Sequence, residues 1–462
     1  MRLHPFVLSS VALALLLGGH VLRLTASDRD DINSKALLSD ANSHVTAADN
    51  VPPEGFTPLF NGRDLSGWYG LGGSDWPKIH KLSPEARAKI RRESQPAIHQ
   101  HWRVEDGILI NDGKGPYLTT DKDYGDIELW VDFKIVPKGD SGIYLRGTPQ
   151  VQVWDTTKEG GKWRHGADKG SGSLWNNKKT TNAALVHADR PIGEWNRFHI
   201  RMIGPLTTVH LNGQLVVDNL PLENYWDRSQ PLFATGPIQL QTHGGKLKLR
   251  NIFVREIPAD EANAFLESLN DDGFHPILNG RDLQGWVGAK DSYETKPDGV
   301  LACKKGTGGF LLTEKAYDDF AFRFEFRLPP GGNNGIAIRA PLDGNPAYAG
   351  MEIQVLDDTA GKYKDLKPWQ FHGSVYGIAP STPGFLRPTG QWNFEEIEVR
   401  GSQVTVRLNG TVINQVDLDK VRPIDGKDHP GRTRRSGHLG LLGHGDPVEF
   451  RNLRVRELAE KN

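Results

Sequence analysis

Cysteine is almost absent from this sequence, since Cys303 is the single one among 462 residues. An intramolecular disulfide is therefore impossible, and a zinc site built from several thiolates is excluded. Cys303 lies in the strand-like run VLACKKG, where we expect it to be a small buried apolar residue. An excess of charge of one sign is also lacking, because 56 Lys and Arg residues oppose 57 Asp and Glu residues. Binding to nucleic acid through phosphate neutralisation is therefore not expected.

Long apolar runs are also lacking, and the N-terminus holds a short one. Arg2 precedes the apolar stretch from Phe6 to Leu17, and small residues follow up to Ser27. This arrangement predicts an export signal over residues 1–27, because the run is short for a membrane-spanning helix. Residues 28–53 are polar without periodicity and are predicted to be a linker. We expect a secreted or periplasmic protein, without a transmembrane segment beyond the signal or an N-terminal anchor.

Turn-forming and aromatic residues are plentiful, with 52 Gly, 29 Pro and 12 Trp against only 3 Met. The segments between turns are short, alternating and rich in β-branched or aromatic residues, as in IELWVDFKIV and LKLRNIFVREI. Asn212-Gly213 and Asn409-Gly410 each separate two apolar runs, which is a strong hairpin signal. These features predict an all-β protein built from antiparallel sandwiches.

An internal repeat organises the chain. Several motifs occur twice in the same order: PLFNGRDLSGW at 58–68 and PILNGRDLQGW at 276–286, DSGIYLRG at 140–147 and NNGIAIRA at 333–340, and TVHLNGQLV at 208–216 and TVRLNGTVI at 405–413. The repeat predicts two homologous domains over residues 54–257 and 272–462, with a linker helix at 258–271.

The spacing between the repeats changes along the chain. It is 218 residues from Trp68 to Trp286 but 193 from Arg146 to Arg339, so the first domain carries 25 extra residues. They fall within residues 74–100, where Ser83 followed by Pro84 is a good helix start. We therefore predict a helical insertion in the first domain.

The repeated motifs resemble the 3-keto-disaccharide hydrolase domain family, formerly a domain of unknown function. The resemblance rests on LFNGRDLSGW, DSGIYLRG, GEWN, LNG and the LQTHG…LRNI series, and it covers residues 55–257 and 272–458. It implies two tandem concanavalin-A-like jelly-roll sandwiches and a role on 3-keto sugars, whose glycosidic bonds are cleaved after C3 has been oxidised.

The chemistry that this resemblance implies starts from a ketone at C3 of a sugar. The ketone acidifies the proton at C2, so a base can remove it and the C1 substituent leaves by elimination, after which water adds. This route needs a base and a stabiliser for the enolate oxygen, but not the paired carboxylates of an ordinary glycosidase. No segment shows closely spaced Glu and Asp in a pattern such as E-x-D-x-x-E. We therefore expect a hydrolase or lyase acting on 3-keto-glycosides, with a sugar 3-dehydrogenase as functional partner.

Strand alternation selects the candidate site residues. Ile143 and Leu145 share a core face, so Tyr144 and Arg146 lie on the opposite, polar face. Arg146 and its counterpart Arg339 are predicted to hold a hydroxyl, ketone or enolate, the alternative being a salt bridge across the sheet. His243 and His444, each at a strand end before a glycine, are predicted general bases or metal ligands. The predicted substrate-binding residues are Tyr144, Gln150, Gln152, Trp154, Gln241, Gln354 and Tyr376, and Trp175 is a further candidate for sugar stacking.

The two domains differ at their predicted sites. The second has Glu352 where the first has Gln150, while the first has Gln241 where the second has Leu442. A carboxylate can abstract a proton or hold a cation, so Glu352 is the predicted base, with a divalent metal ion bound by Glu352 and His444 as an option. We therefore predict the second domain as the catalytic one. A non-catalytic carbohydrate-binding protein and a structural surface module remain the alternatives.

Overall fold

The computed structural model describes residues 49–459. The predicted export signal over residues 1–27, and the part of the predicted linker up to residue 48, lie outside the described residues. Between residues 49 and 459, no helix is long and apolar enough to cross a membrane.

Strands dominate both halves of the chain. Those of the first half are β1 (Thr57–Pro58), β2 (Trp68–Leu71), β3 (Trp102–Glu105), β4 (Ile108–Asn111), β5 (Tyr117–Thr120), β6 (Ile127–Ile135), β7 (Asp140–Leu145), β8 (Thr148–Trp154), β9 (Asn196–Ile203), β10 (Leu206–Leu211), β11 (Gln214–Pro221), β12 (Gln239–Leu240) and β13 (Leu247–Glu256). Those of the second half are β14 (His275–Pro276), β15 (Trp286–Gly288), β16 (Tyr293–Thr295), β17 (Leu301–Cys303), β18 (Gly309–Tyr317), β19 (Phe320–Arg327), β20 (Asn333–Ala340), β21 (Met351–Leu356), β22 (Trp392–Arg400), β23 (Gln403–Leu408), β24 (Thr411–Asp417), β25 (Gly437–Gly443) and β26 (Glu449–Glu457).

Helices are few, and the longest in the described part of the chain has 18 residues. The α-helices are α1 (Trp76–Ile79), α2 (Pro84–His101), α3 (Ala259–Ser268) and α4 (Pro346–Ala349). Single 3-10 turns occur at Lys158–Gly160, Trp163–His165, Ala167–Lys169, Lys290–Ser292, Gly361–Tyr363, Pro368–Gln370 and Pro430–Thr433.

Each half is a sandwich of an eight-stranded and a five-stranded antiparallel sheet. The larger sheets run β11-β10-β9-β6-β13-β4-β3 and, in the same spatial order, β24-β23-β22-β19-β26-β17-β16. In addition, β1 pairs with β13 and β14 pairs with β26. The smaller sheets run β2-β5-β12-β7-β8 and β15-β18-β25-β20-β21. The matching orders confirm the predicted fold of two tandem jelly-roll sandwiches with a common topology.

The five-stranded sheet of the first sandwich shows why the pattern folds this way. Leu118, Leu240, Ile143 and Val151 are paired across neighbouring strands and are all buried in one core. Because side chains alternate, the residues between them emerge on the other face of the sheet. Each sandwich buries its apolar face against its own larger sheet, so each has its own hydrophobic core.

The helical insertion of the first sandwich is also confirmed. Ser83 caps α2 by accepting a hydrogen bond from the Ala86 backbone at 3.3 Å, and Pro84 occupies the first helical turn. Ile98 on this helix is fully buried in the core of the first sandwich. The insertion therefore covers the end of the sheet that carries β2.

The two sandwiches meet at α3. Ala262 and Leu266 of this helix pack with Ile203 of the first sandwich and Phe394 of the second. Beside this apolar contact, Asp126 of the first sandwich forms a 3.1 Å ion pair with Arg387 of the second. Residues from both sandwiches therefore share one buried junction.

Candidate functional site

A cavity of about 750 Å³ opens on the outer face of the five-stranded sheet of the first sandwich. We call it the first groove; it is lined by Gly73, Ser74, Tyr117, Asp140, Tyr144, Pro149, Gln150, Gln152, Trp154, Gly160, Gly161, Lys162, Arg164, His165, Trp175, Asn176, Tyr225, Trp226, Gln241 and His243. Its size lies within the range of small-molecule sites, and its lining mixes aromatic rings with amides, one carboxylate and several basic groups.

Strands β7 and β8 supply the floor of the first groove. Tyr144, Gln150, Gln152 and Trp154 all emerge there, as alternation predicts, and each is nearly buried. Gly142 makes room for this row, because a methyl group at that position would lie 2.7 Å from Cδ of Gln150. The polar strand face therefore forms one continuous surface.

Asp140 is the single carboxylate that lines the groove, and the sequence interpretation missed it. Its Oδ1 accepts a hydrogen bond from Nε2 of Gln152 at 2.9 Å, and its Oδ2 forms an ion pair with Nζ of Lys162. Asp140 has the same strand parity as Gly142 and Tyr144, so alternation alone could have found it. Lys162 lies in an irregular loop, where no periodic signal exists.

His243 follows β12 and stands at the edge of the groove. Its Nε2 lies 3.7 Å from Oδ2 of Asp140, and 59% of its side chain is exposed. Near it, Nε2 of Gln241 donates to the hydroxyl of Tyr117 at 3.1 Å, and the Tyr117 ring meets that of Tyr144 edge-on at 5.4 Å. His243 thus combines a nearby carboxylate with access from the groove.

Aromatic side chains form a wall of the groove. The ring of Trp154 meets that of Trp175 edge-on at 6.1 Å, and Trp175 in turn meets His165 at 6.2 Å. Nε1 of Trp154 donates to the backbone of Gly170 at 3.0 Å, which fixes the ring. Such amphipathic rings suit the apolar faces of sugars.

Two buried amide oxygens of the lining lack a hydrogen-bond donor within the described part of the chain: Oε1 of Gln150 and Oε1 of Gln241. A buried acceptor without a partner costs free energy unless a ligand supplies a donor. Hydroxyl groups are donors of the required kind, so these oxygens suit a polyhydroxylated ligand.

Arg146 does not line the groove, so its predicted role at the sugar is wrong. It has φ of 51°, in the left-handed region, and this turn after Leu145 breaks the strand alternation. Its guanidinium instead donates to Asp126 Oδ1 and the Phe233 carbonyl, both at 3.1 Å, and the side chain is 4% exposed. Burial lowers the pKa of this guanidinium, which the Asp126 carboxylate counteracts.

Arg339 departs from its predicted role in the same way. Its φ is 49°, its side chain is fully buried, and its guanidinium donates to Asp319 Oδ1 at 2.8 Å and to the Gly401 carbonyl at 2.6 Å. All three guanidinium nitrogens donate to Asp319 or to the carbonyls of Asp318, Gly401 and Arg434, so none is left to stabilise an enolate. The alternative interpretation of both arginines, a salt bridge, is the one that the geometry supports.

The second sandwich holds a carboxylate–histidine pair of its own. Oε1 of Glu352 lies 3.8 Å from Nε2 of His444, and the Glu352 side chain is nearly buried. The nearby carboxylate raises the pKa of His444 above its ordinary value, with burial acting in the opposite direction. Gly335 gives Glu352 its space, because a methyl group there would lie 1.9 Å from Oε1.

The two pairs place their carboxylates on different strands. In the first sandwich the carboxylate is Asp140 on β7, and its counterpart on β20 is the neutral Asn333. In the second sandwich the carboxylate is Glu352 on β21, and its counterpart on β8 is the neutral Gln150. Each sandwich therefore keeps one carboxylate within 4 Å of its histidine. The prediction of catalysis in the second domain rested on Glu352 as a carboxylate without a counterpart in the first domain. Asp140 now supplies a carboxylate beside the histidine of the first sandwich, so this reason no longer separates the two domains.

The equivalent face of the second sandwich is more apolar. Register equates Tyr144 with Ala337 and Gln241 with Leu442, and these two replacements pack in a buried apolar cluster with Leu312. Gln354 remains on this face, and Tyr376, half-buried, stands where the first sandwich has Trp175. Burial raises the pKa of the Tyr376 hydroxyl. This face offers fewer donors and acceptors to a sugar.

A metal site is not assembled by the predicted ligands. Glu352 and His444 supply two donors, and between residues 49 and 459 no group of three or more His, Cys, Asp or Glu side chains could hold a metal ion. Structural and catalytic metal sites normally take three or more protein ligands. We therefore assign no chemical step to a metal.

A family model described as the 3-keto-alpha-glucoside-1,2-lyase-like domain matches residues 55–255 and again residues 273–456. The chain belongs to this family. The resemblance inferred from the repeated motifs is thereby confirmed for both sandwiches. A curated relative, the 3-keto-disaccharide hydrolase of Bacteroides thetaiotaomicron, is 27% identical over 250 residues, and the match covers 45% of this chain and 86% of the relative.

Solved structures similar to this chain match part of it. A protein from Parabacteroides distasonis, described provisionally as a glycosyl hydrolase, is 25% identical with a TM-score of 0.37, and the match covers 40% of this chain and 99% of that one. The carbohydrate binding module CBM66 from Bacillus subtilis is 12% identical with a TM-score of 0.26, and the match covers 37% of this chain and 96% of that one.

Proposed function

We propose that the protein cleaves the glycosidic bond of 3-keto-glycosides in the first groove. The observation that carries this proposal is the Asp140–His243 pair, which opens into a cavity lined by aromatic rings and unpaired amide oxygens. Family membership supports the substrate class, and so does the name of the relative from Bacteroides thetaiotaomicron.

His243 is the base of the proposed reaction. With Nε2 directed at Asp140, its Nδ1 is free to accept the proton from C2 of the sugar. The Asp140 carboxylate stabilises the imidazolium that forms. Asp140 itself is a poorer base, because Gln152 and Lys162 already hold its two oxygens.

The electrons of the C2–H bond move to the ketone and form an enolate. The enolate then collapses: a C1–C2 double bond forms, the C1–O bond breaks, and the leaving oxygen takes up a proton. Addition of water at C1 and return of a proton to C2 complete a net hydrolysis. Lys162, the cation of the groove closest to the Asp140–His243 pair, is the proposed stabiliser of the enolate oxygen in place of Arg146.

The floor and the aromatic wall of the groove bind the sugar in this proposal. The Oε1 atoms of Gln150 and Gln241 accept hydrogen bonds from sugar hydroxyls, which gives both buried oxygens a partner. Trp154 and Trp175 pack against the apolar faces of the rings.

The Glu352–His444 pair is the alternative catalytic centre. Its carboxylate and imidazole are 3.8 Å apart, against 3.7 Å in the first pair. Ala337 and Leu442 remove the polar contacts that the first groove offers, which favours a weaker, non-catalytic carbohydrate-binding role for the second sandwich. The protein as a whole would be a lectin-like binder if neither pair is catalytic.

The proposal also includes a partner enzyme and a location in the cell. The ketone at C3 must be made by an oxidoreductase that acts on the sugar, so we expect a sugar 3-dehydrogenase as functional partner. The predicted export signal over residues 1–27 favours action outside the cytoplasm.

Matched substitutions in the two sandwiches test the site. Cleavage of a 3-keto-glucoside is measured for Asp140→Asn and His243→Gln, beside Glu352→Gln and His444→Gln. Loss of a general base lowers the rate by about 10²–10⁴-fold, which we expect for His243→Gln, with a smaller loss for Asp140→Asn. The second-sandwich variants are expected to keep rates within about tenfold of the parent. Larger rate losses in the second-sandwich variants than in the first-sandwich variants would place catalysis in the second sandwich. If the parent protein cleaves no 3-keto-glucoside, the carbohydrate-binding role is the function that remains.

A further inference from the structure

The charge of the first groove is unevenly distributed. Four of its lining residues carry or can take positive charge: Lys162, Arg164, His165 and His243. Asp140 is the single carboxylate of the lining, and Lys162 forms an ion pair with it. Arg164 therefore contributes a positive charge that no lining carboxylate offsets.

Arg164 and His165 form a donor pair at the end of the groove. Nε of Arg164 donates to Nε2 of His165 at 3.0 Å, so the proton of the neutral imidazole is on Nδ1. The terminal nitrogens of Arg164 have no hydrogen-bond or ion-pair partner among the described residues, and both side chains are exposed. A forked guanidinium with free donors is suited to a carboxylate, sulfate or phosphate.

The donor pair lies beyond the proposed sugar-stacking wall. His165 contacts Trp175, and Trp175 contacts Trp154 on the floor, whereas Lys162 reaches Asp140 at the proposed reaction centre. A keto sugar at Asp140 and His243 would therefore leave its neighbouring unit beside Arg164 and His165.

The second sandwich lacks this feature. The loop after β21 in the second sandwich reads Gly361-Lys362-Tyr363-Lys364-Asp365, so a carboxylate follows its second lysine, whereas His165 follows Arg164 in the first sandwich. Lys362 also pairs with Asp446 at 3.9 Å, rather than with a carboxylate on the sheet floor. The uncompensated positive charge is a property of the first groove.

We propose that the first groove selects glycosides in which the unit next to the keto sugar carries an anionic group, which Arg164 and His165 bind. This inference rests on the proposed function for the identity of the keto sugar, but the anion site itself does not depend on turnover. A carboxylate on a uronic acid or on an aromatic aglycone, a sulfate and a phosphate share the required chemistry.

Binding of two matched ligands tests the anion site without catalysis. The ligands are 4-carboxyphenyl glucoside and its uncharged analogue 4-carbamoylphenyl glucoside, and affinity is measured by calorimetry with the full chain. We expect the acid to bind at least about fivefold more tightly at about 10 mM salt, and the advantage to shrink at about 150 mM, where the Debye length falls from roughly 30 to 8 Å. Sulfophenyl and phosphophenyl glucosides distinguish among the anions.

Arg164→Gln is the test variant, and Lys364→Gln, which removes one positive charge from the loop after β21 in the second sandwich, is the matched control. The acid-to-amide ratio is expected to fall towards one in Arg164→Gln and to stay unchanged in Lys364→Gln. Equal affinities of the parent for acid and amide, or equal losses in both variants, would overturn the inference.

Turnover of the 3-keto forms of the two glucosides separates this inference from the proposed function. Cleavage of both at the same kcat/KM would refute the anion selectivity while leaving the proposed reaction intact. Tighter binding of the acid with no cleavage of either would support the anion site and refute the proposed reaction.

Discussion

Replacement of Arg146 by methionine tests whether this residue supports the fold rather than the reaction. The change keeps an unbranched side chain but leaves Asp126 and the carbonyls of Gly125 and Phe233 without the guanidinium that donates to them at 3.1–3.3 Å. Removal of one partner of a buried ion pair costs about 3–5 kcal/mol. Asp126 keeps Arg387 at 3.1 Å, so we expect the lower value, about 3 kcal/mol. For a domain of about 200 residues this corresponds to a fall in Tm of roughly 6–12 °C.

Calorimetric melting of the full chain measures the fall in Tm. The control is Arg63→Met, at an exposed arginine of the same sandwich, where the free energy of unfolding should change by no more than about 0.5 kcal/mol. Activity per folded molecule, measured well below the melting range, is expected to stay near that of the parent. A variant with the parent Tm but with cleavage reduced by more than about 10²-fold would refute the structural role and return Arg146 to the reaction.

Three further predictions concern the rest of the molecule. The pKa of His444, measured by NMR titration, is expected above its ordinary value because of Glu352, so the imidazole stays protonated to higher pH. In Glu352→Gln the pKa of His444 should fall, and an unchanged pKa would contradict the pairing. His372 and Glu395 are buried 3.0 Å apart in the second sandwich, so Glu395→Gln, which removes the carboxylate beside the imidazole, should destabilise that sandwich by about 1–3 kcal/mol in denaturant unfolding, whereas an unchanged free energy of unfolding would show that the pair is dispensable. Ser83→Ala should cost about 1 kcal/mol through loss of the α2 cap, while Ser83→Gly should cost only a few tenths; equal losses would argue against capping.

Much of the fold could be predicted from the sequence because each strand and turn motif occurs twice in the chain. Two copies of each motif in one order indicate two similar domains, and alternation in GIYL and PQVQVW separates core from groove residues without further information. Tyr144, Gln150, Gln152 and Trp154 line the groove for that reason. These inferences depend on local periodicity, which antiparallel strands preserve.

The errors arise where local periodicity stops. Arg146 has φ of 51° and Gly147 has φ of 65°; the glycine signals a turn, but the sequence does not show that the turn already begins at Arg146. Its partner Asp126 is also held by Arg387, which lies 261 residues further along the chain, and such a distant pairing leaves no signal in the local sequence. Lys162 was missed because it reaches Asp140 from a loop of irregular turns.

Cleavage in heavy water tests the central claim most directly. The proposed elimination removes the proton from C2 and a solvent proton returns there on hydration, so each molecule of keto sugar released by the parent protein should carry one deuterium at C2. A parallel sample of free keto sugar corrects for spontaneous exchange, and His243→Gln should suppress release and labelling together. Release of keto sugar that retains the original proton at C2 would contradict the account, because water would then have displaced the C1 substituent directly.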